Sequence, residues 1–376
     1  MARTIELHRE QNVFEKILHL DWMLVILIVI FACIGFASLY SAAGGSFDPW
    51  ASRQIVRFLV GMVGMLVIAI IDIKWWQRLA YPAYVIGVVL LISVEIAGHI
   101  GMGAQRWIDL GFIKLQPSEL MKIALVMAIA RYFHGCTSED TKRISFLILP
   151  AIMIIIPFIM VALQPDLGTS LMIAMLGAAM FFMAGAPLWI FIGGIALAVL
   201  STPLIWMHMH EYQKQRVLTF LNPESDPLGT GYHILQSKIA LGSGGLQGKG
   251  FLNGTQSHLN FLPEKQTDFI FTLWAEEWGL FGGLFLLAIV GLIFCYSCWI
   301  AYRCRHMFGR LLAFGIMINF SLYVFVNIAM VTGIIPVVGA PLPLISYGGT
   351  ALLAVMAGFG LVLSCSTYSD SKLPRL

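Results

Sequence analysis

From Trp22 to Ala43 the chain reads WMLVILIVIFACIGFASLYSAA, without one charged side chain. Runs of about 18 or more apolar residues recur from there almost to the C-terminus, and a helix of that length crosses the hydrocarbon core of a bilayer. The expected fold class is therefore an all-α polytopic membrane protein. Composition agrees: 59% of residues are hydrophobic and 11% charged, where a soluble domain carries roughly a quarter charged residues. The first run is too long for a signal-peptide core and has no small-x-small cleavage site, so it is expected to be a retained span. A net charge of +3 is too small to point to nucleic acid.

Ten transmembrane helices are expected, at about 22–43, 54–71, 80–98, 118–133, 144–163, 168–185, 187–207, 268–300, 311–331 and 346–365, in a single integral-membrane domain over 1–376. Gln164-Pro165-Asp166 separates the fifth from the sixth, because proline removes a backbone donor and disfavours helix in the residue before it. The one long hydrophilic segment, 208–267, exceeds a simple connector and is expected to be functional. Lysine and arginine in short loops set the orientation. With the N-terminus inside, the inner segments hold Arg3, Arg9, Lys16, Lys74, Arg78, Arg131, Lys142, Arg143, Arg303, Arg305, Arg310, Lys372 and Arg375, against Arg53, Arg57, Arg106 and Lys114 in the short outer ones. Both termini are then cytoplasmic, and the large loop between helices 7 and 8 is extracytoplasmic. None of the six cysteines falls in an outer loop, and Cys295-x-x-Cys298 lies inside a span without companion ligands. Packing is the expected role, with no disulfide or metal framework.

The even-numbered spans begin on the outer side, and their openings are polar. Span four opens QPSELMK with Glu119 and Lys122, span six QPDLGTS with Asp166, span eight TDFIF with Asp268, and span ten PLISYGG with Ser346 and Tyr347. Each acid alone reads as a helix cap or a complement to the helix dipole. Their recurrence on one face points further, because ionisable groups at the edge of the hydrocarbon are costly and more often functional. Glu119 and Lys122 are three apart and share a helix face as an ion pair, either neutralising each other or acting in catalysis. Arg106, Lys114 and Arg216 add positive charge on the same side, and Lys265 stands just before Asp268 at the mouth of span eight. Glu276 falls near the helical face of Asp268 and Glu277 roughly opposite, so structural pairing with another helix is expected for Glu277. GSGGLQGKG fails the phosphate-loop pattern, and its glycines suit tight turns or close backbone approach. His233, His258 and Asp226 lack metal-ligand spacing and read as solvated loop residues.

Helix N-termini with outer arginine and lysine suit an anion at the membrane surface, such as a lipid-linked phosphate or pyrophosphate. Asp268 beside Phe269, Ile270 and Phe271 would have its proton affinity raised by desolvation, which suits a general base on a sugar hydroxyl. Composition and spacing stop at an outward-facing lipid-phosphate site. A transporter would place its polar groups near the bilayer midplane, often in broken helices and repeated halves, whereas here the ionisable residues gather at the outer boundary and no repeat is visible.

QRWIDLG, QPSELMKIA, QPDLGTS, YQKQRV, NPESDPLGTGYHILQSKIALGSGGLQGKG, FLPEKQTDFIFTLWAEEWG and GIIPVVGAPLPLISYGGT, in this ten-span layout, resemble the SEDS family of bacterial cell-wall polymerases and within it the elongation branch. The resemblance covers essentially the whole chain. It implies a peptidoglycan glycosyltransferase that polymerises lipid II at the outer face of the cytoplasmic membrane, with lipid II flipping as the alternative. It implies Asp268 as the base on the acceptor GlcNAc 4-hydroxyl and undecaprenyl pyrophosphate as leaving group, with Glu119 and Lys122 as the family's salt bridge. It also implies a divalent cation (Mg or Mn) without nucleotide, and as partners a class B penicillin-binding protein of the PBP2 type within a rod complex of MreB, MreC and MreD.

Overall fold

The structure, a computed structural model, describes residues 13–374 apart from 19, 98, 102–103, 110, 112–113, 138, 210, 227–228 and 259–263. Arg3, Arg9, Arg375, Pro263 and the side chain of His258 lie outside the described residues. After a short α1 (Val13–Leu18) come α2 (Trp22–Ala42), α3 (Ala51–Ile70), α4 (Ile73–Ala97), α5 (Pro117–His134), α6 (Ile144–Leu163), α7 (Leu167–Met183) and α8 (Leu188–His208). The outer segment then forms α9 (Glu211–Leu221), α10 (Thr230–Gly244) and α11 (Thr255–His258), before α12 (Ile270–Arg303), α13 (Met307–Val331) and α14 (Thr350–Thr367) close the chain. Helices thus overlie every predicted span. Among the described residues, eight of them are long and apolar enough to cross a membrane.

The two that fall short do so for different reasons. α7 has only 17 residues. α5 carries Glu119, Lys122 and Arg131, yet most of its side chains are buried, because it lies inside the bundle against α4, α13, α6 and α7 rather than against lipid. A helix enclosed by protein does not need a lipid-compatible surface. α8 is the opposite case. Its apolar side chains face outward all round, Ile192 at 68% exposure and Leu200 at 76% among them, as a helix wrapped in hydrocarbon does.

Three features depart from the sequence expectation. Between α4 and α5 the outer connection is a small antiparallel sheet of β1 (His99–Gly101), β2 (Ala104–Asp109) and β3 (Lys114–Leu115), in the order β1-β2-β3. The tenth span does not open at Ser346: α14 starts at Thr350, and the prolines and glycines of PLPLISYGG leave 340–349 irregular. The eighth span, predicted unbroken over about 268–300, starts at Ile270 and kinks at Gly279 (φ 64°, ψ −161°), which only glycine adopts without strain.

That kink is filled from the outer segment. Leu280 N–H donates to Gly245 O (2.9 Å) and Phe281 N–H to Leu246 O (3.2 Å), while Lys249 N–H and Gly250 N–H reach back to Glu276 O (3.0 Å) and Glu277 O (2.9 Å). GSGGLQGKG, the end of α10 and the turns that follow it, is therefore the segment that satisfies backbone groups freed by the broken helix. Its glycines serve close backbone approach.

Candidate active site

Asp268 lies in a turn, 264–269, just ahead of α12 rather than in its first helical turn. The turn closes on itself through Thr267 N–H to Glu264 O (3.0 Å) and Thr267 Oγ1 to Glu264 Oε2 (3.0 Å). It is then pinned from behind by its backbone. Asn327 Nδ2 donates to Asp268 O (2.9 Å) and to Ala340 O (2.7 Å). Ser346 Oγ donates to Thr267 O (2.6 Å) and accepts from Leu342 N–H (2.7 Å), and Tyr347 N–H donates to Gln266 O (2.8 Å). Gln54 Nε2 in turn holds Ser346 O (2.9 Å). The carboxylate itself has Gly339 (φ +76°) beside it. Burial raises the proton affinity of Asp268 from the ordinary 3.8 to about 6; Glu264 pushes the same way and the Arg216 guanidinium of α9 pulls it down. Lys265, three residues upstream, has its ammonium disfavoured by desolvation.

Glu119 and Lys122 form the pair their spacing predicts, with Nζ 3.0 Å from Oε1. Both are enclosed by the bundle, Lys122 at 0% exposure and Glu119 at 5%. Tyr323 of α13 serves both partners: its hydroxyl donates to Glu119 Oε1, and its ring lies 4.1 Å beneath the Lys122 ammonium. Tyr323 and Asn327 are one turn apart on α13, so a single helix face carries the support of the ion pair and of the Asp268 turn.

Asp166 has two jobs. It caps α7 by accepting from Thr169 N–H (3.2 Å) and Thr169 Oγ1 (3.0 Å), and it meets Arg106 Nε at 3.4 Å. Arg106 also donates to Pro165 O (2.7 Å), which ties β2 to the break between α6 and α7. Asp166 acts electrostatically on Lys122 as well. Glu119, Lys122, Asp166 and Arg106 thus alternate in charge, each facing an opposite neighbour.

Glu276 does not share a surface with Asp268, because the helix begins after Asp268. Fully buried, it accepts from Lys249 Nζ (2.8 Å), Gln256 N–H (2.9 Å) and Thr255 Oγ1 (3.3 Å), so it holds the outer segment onto α12. Glu277 takes the hydroxyl of Ser41 on α2, the helix-to-helix pairing its position suggests. His233 is partly buried near Asp226 rather than solvated. Lys249→Met is expected to strand the Glu276 carboxylate and to cost about 2–4 kcal/mol, read as a lower unfolding temperature with faster proteolysis of 245–258. A variant as stable and as protease-resistant as the parent would remove the strap.

Asn327 and Gln54 are the site residues that spacing missed. Each is an amide within or at the end of an apolar span, the one signal that could have found them, and Asn319 gives the same signal on α13. Among the described residues no three His, Cys, Asp or Glu side chains converge to hold a metal ion, so the residues present do not form a protein-only cation cage.

Residues 16–371 match the FTSW_RODA_SPOVE family, described as cell cycle proteins. The chain is 46% identical over 361 residues to the peptidoglycan glycosyltransferase MrdB of Escherichia coli K12, covering 96% of each. It is 37% identical to the probable peptidoglycan glycosyltransferase FtsW of Trichlorobacter lovleyi, over 92% of this chain and 93% of that one. Among solved structures it superposes with TM-score 0.82 and 32% identity on a chain from a peptidoglycan synthase complex that coordinates polymerization and crosslinking, covering 94% of this chain and 99% of that one. It superposes with TM-score 0.71 and 28% identity on the rod shape determining protein RodA of Thermus thermophilus, covering 94% and 98%.

Proposed function

The chain belongs to the FtsW/RodA/SpoVE family of cell cycle proteins and is a peptidoglycan glycosyltransferase of the membrane, and from that premise we propose that it polymerises lipid II with Asp268 as general base. The carrying observation is a carboxylate with raised proton affinity on a turn that Asn327 and Ser346 hold through its backbone. Its oxygens are free to take the proton of the acceptor GlcNAc 4-hydroxyl. The oxygen so exposed attacks C1 of the donor MurNAc, the C1–O bond to phosphate breaks, and undecaprenyl pyrophosphate leaves with the electron pair. The proton then passes from Asp268 to water. Arg106, Arg216 and Lys265 supply cationic surroundings for the diphosphate. We propose a divalent cation (Mg or Mn) as cofactor, which would supply positive charge to the departing diphosphate and would need few protein ligands to do so; no step here depends on it.

The positive-inside reading puts this site on the periplasmic side of the cytoplasmic membrane. The likeness to a chain of a synthase complex that couples polymerization to crosslinking supports a transpeptidase partner, a class B penicillin-binding protein, which we propose to be of the PBP2 type; a rod complex with MreB, MreC and MreD is proposed from the resemblance in sequence alone.

The base reading has a pH signature. Asp268 takes a proton only when ionised, so the rate should rise with pH through about 6 and then level. The sign for stability is opposite: with the folded value above the ordinary 3.8, the contribution of Asp268 is complete below about 4 and is lost as pH rises through about 6. A pH–rate profile on purified lipid II tests this; a flat profile from 5 to 8, or lipid II transport without glycan chains, counts against the reading.

A further inference from the structure

Gly339 lies where the segment after α13 passes the Asp268 turn. The residues on either side of it are wedged in place. Val338 lies against α7, where a Cβ on Gly168 would come within 2.9 Å of its own Cβ. Ala340, 6% exposed, is packed with Met172, Tyr323 and Val326. Gly339 has no such crowding. A side chain added there would begin 3.5 Å from Asp268 Oδ2 and, its chain neighbours aside, meet no other atom of the described residues within 4 Å. Oδ2 therefore borders a volume that stays open because Gly339 has no side chain.

Asn327 fixes this arrangement. It is wholly buried, and its one amide nitrogen serves both segments, Asp268 O at 2.9 Å and Ala340 O at 2.7 Å. Its Oδ1 has no hydrogen-bond partner among the described residues, so only the donor pair is in use. Backbone conformation alone would explain a glycine at 339, since its φ is +76°. Asparagine also tolerates that region, however, and would close the space. The demand of the backbone and the demand of the open volume can thus be told apart.

We propose that Gly339 is a positioning residue for the glycosyl transfer: the volume left by its missing side chain seats the acceptor hydroxyl against Asp268 Oδ2, and Asn327 holds the two segments together around it. This rests on the reading of Asp268 as general base. An O–H···O hydrogen bond spans about 2.5–3.0 Å. An oxygen lying about 0.5–1 Å nearer Oδ2 than the absent Cβ therefore has the geometry to give up its proton. The segment cannot retreat to admit a larger residue, because Val338 and Ala340 are packed on either side.

The test is polymerisation of lipid II by the full chain with its transpeptidase partner, read as kcat and KM beside the unfolding temperature. Gly339→Ala is expected to lower kcat about 10-fold and Gly339→Asn about 100-fold, with KM little changed, since the seating of one hydroxyl is disturbed. Unfolding temperature should run the other way, the asparagine variant above the alanine one, because asparagine accepts left-handed backbone. An asparagine variant as fast as the alanine variant or faster would reduce Gly339 to a backbone requirement and overturn the proposal. Parental kcat in both would overturn it too. Should neither fold, Asn327 carries the test. Asn327→Leu fills the site but donates nothing, whereas Asn327→Gln keeps both donors on an arm one methylene longer. The glutamine variant is expected to retain more of kcat even where it is the less stable. The reverse order would leave Asn327 a packing role alone and sink the proposal. Glycan synthesis by an Asp268→Ala chain defeats the base reading itself, while parental Gly339 variants beside an inactive Asp268→Ala chain defeat only the seat.

Discussion

The Asp268→Ala chain, purified with its transpeptidase partner and given lipid II, is expected to form no glycan strands under conditions where the parent forms them readily. Removing a positioned general base lowers rates by about 10²–10⁴-fold, the largest single effect foreseen here. The same variant should keep its fold. Asn327, Ser346 and Tyr347 grip the backbone of 266–268, not the Asp268 side chain, so truncation breaks none of those bonds. It should even melt slightly higher at pH 7.5, because burial disfavours the charged carboxylate that the parent must carry there. Loss of activity with gained stability marks a residue kept for chemistry. Asp268→Asn, alike in shape, should be equally inactive, while Asp268→Glu retains a charge displaced by a methylene and should recover part of the rate. Parental strand synthesis by the alanine variant would take Asp268 out of the mechanism.

Much of this is legible in the sequence, and the reasons differ by element. Spans facing lipid announce themselves, because hydrocarbon imposes an apolar surface along their whole length; α2, α6 and α8 read correctly to within a residue or two. The Glu119–Lys122 pair was equally plain, since three-residue spacing on a helix settles which side chains meet. What could not be read depends on tertiary partners. Gly279 looks like any glycine in an apolar run, and only the insertion of 245–250 into α12 makes its left-handed conformation affordable. Glu276 seemed an inner neighbour of Asp268 because one continuous helix was assumed to carry both; starting α12 at Ile270 removes that relation and leaves Glu276 to Lys249. Ser346 was singled out as a helix opener and is instead a loop side chain bridging Thr267 and Leu342. The sheet at 99–115 was missed because three strands of six residues or fewer give too short an alternation to stand out.

Lys122→Ala and Glu119→Ala are each expected to lose most polymerase activity and about 3–5 kcal/mol of stability, because either change leaves the other charge buried and unpaired. Lys122 suffers the worse environment, being wholly enclosed, though Asp166 offers it a second, more distant negative charge. Glu119→Ala is therefore expected to be the milder of the two. The charge swap, Glu119→Lys with Lys122→Glu, restores neutrality but not the fit to Tyr323. In the parent the Tyr323 ring faces an ammonium and its hydroxyl donates to a carboxylate. After exchange the negative ring face meets a carboxylate, which repels it, while the hydroxyl can still turn its lone pairs to the new ammonium. Partial recovery follows, in unfolding temperature and in glycan synthesis together. Adding Tyr323→Phe to the swap should then cost less than Tyr323→Phe in the parent, since the hydroxyl no longer has its preferred acceptor, and the difference is measurable as a double-mutant coupling. A swap as inactive as both single variants would mean that the two side chains act separately, each through its own contacts, and that their closeness on α5 is incidental.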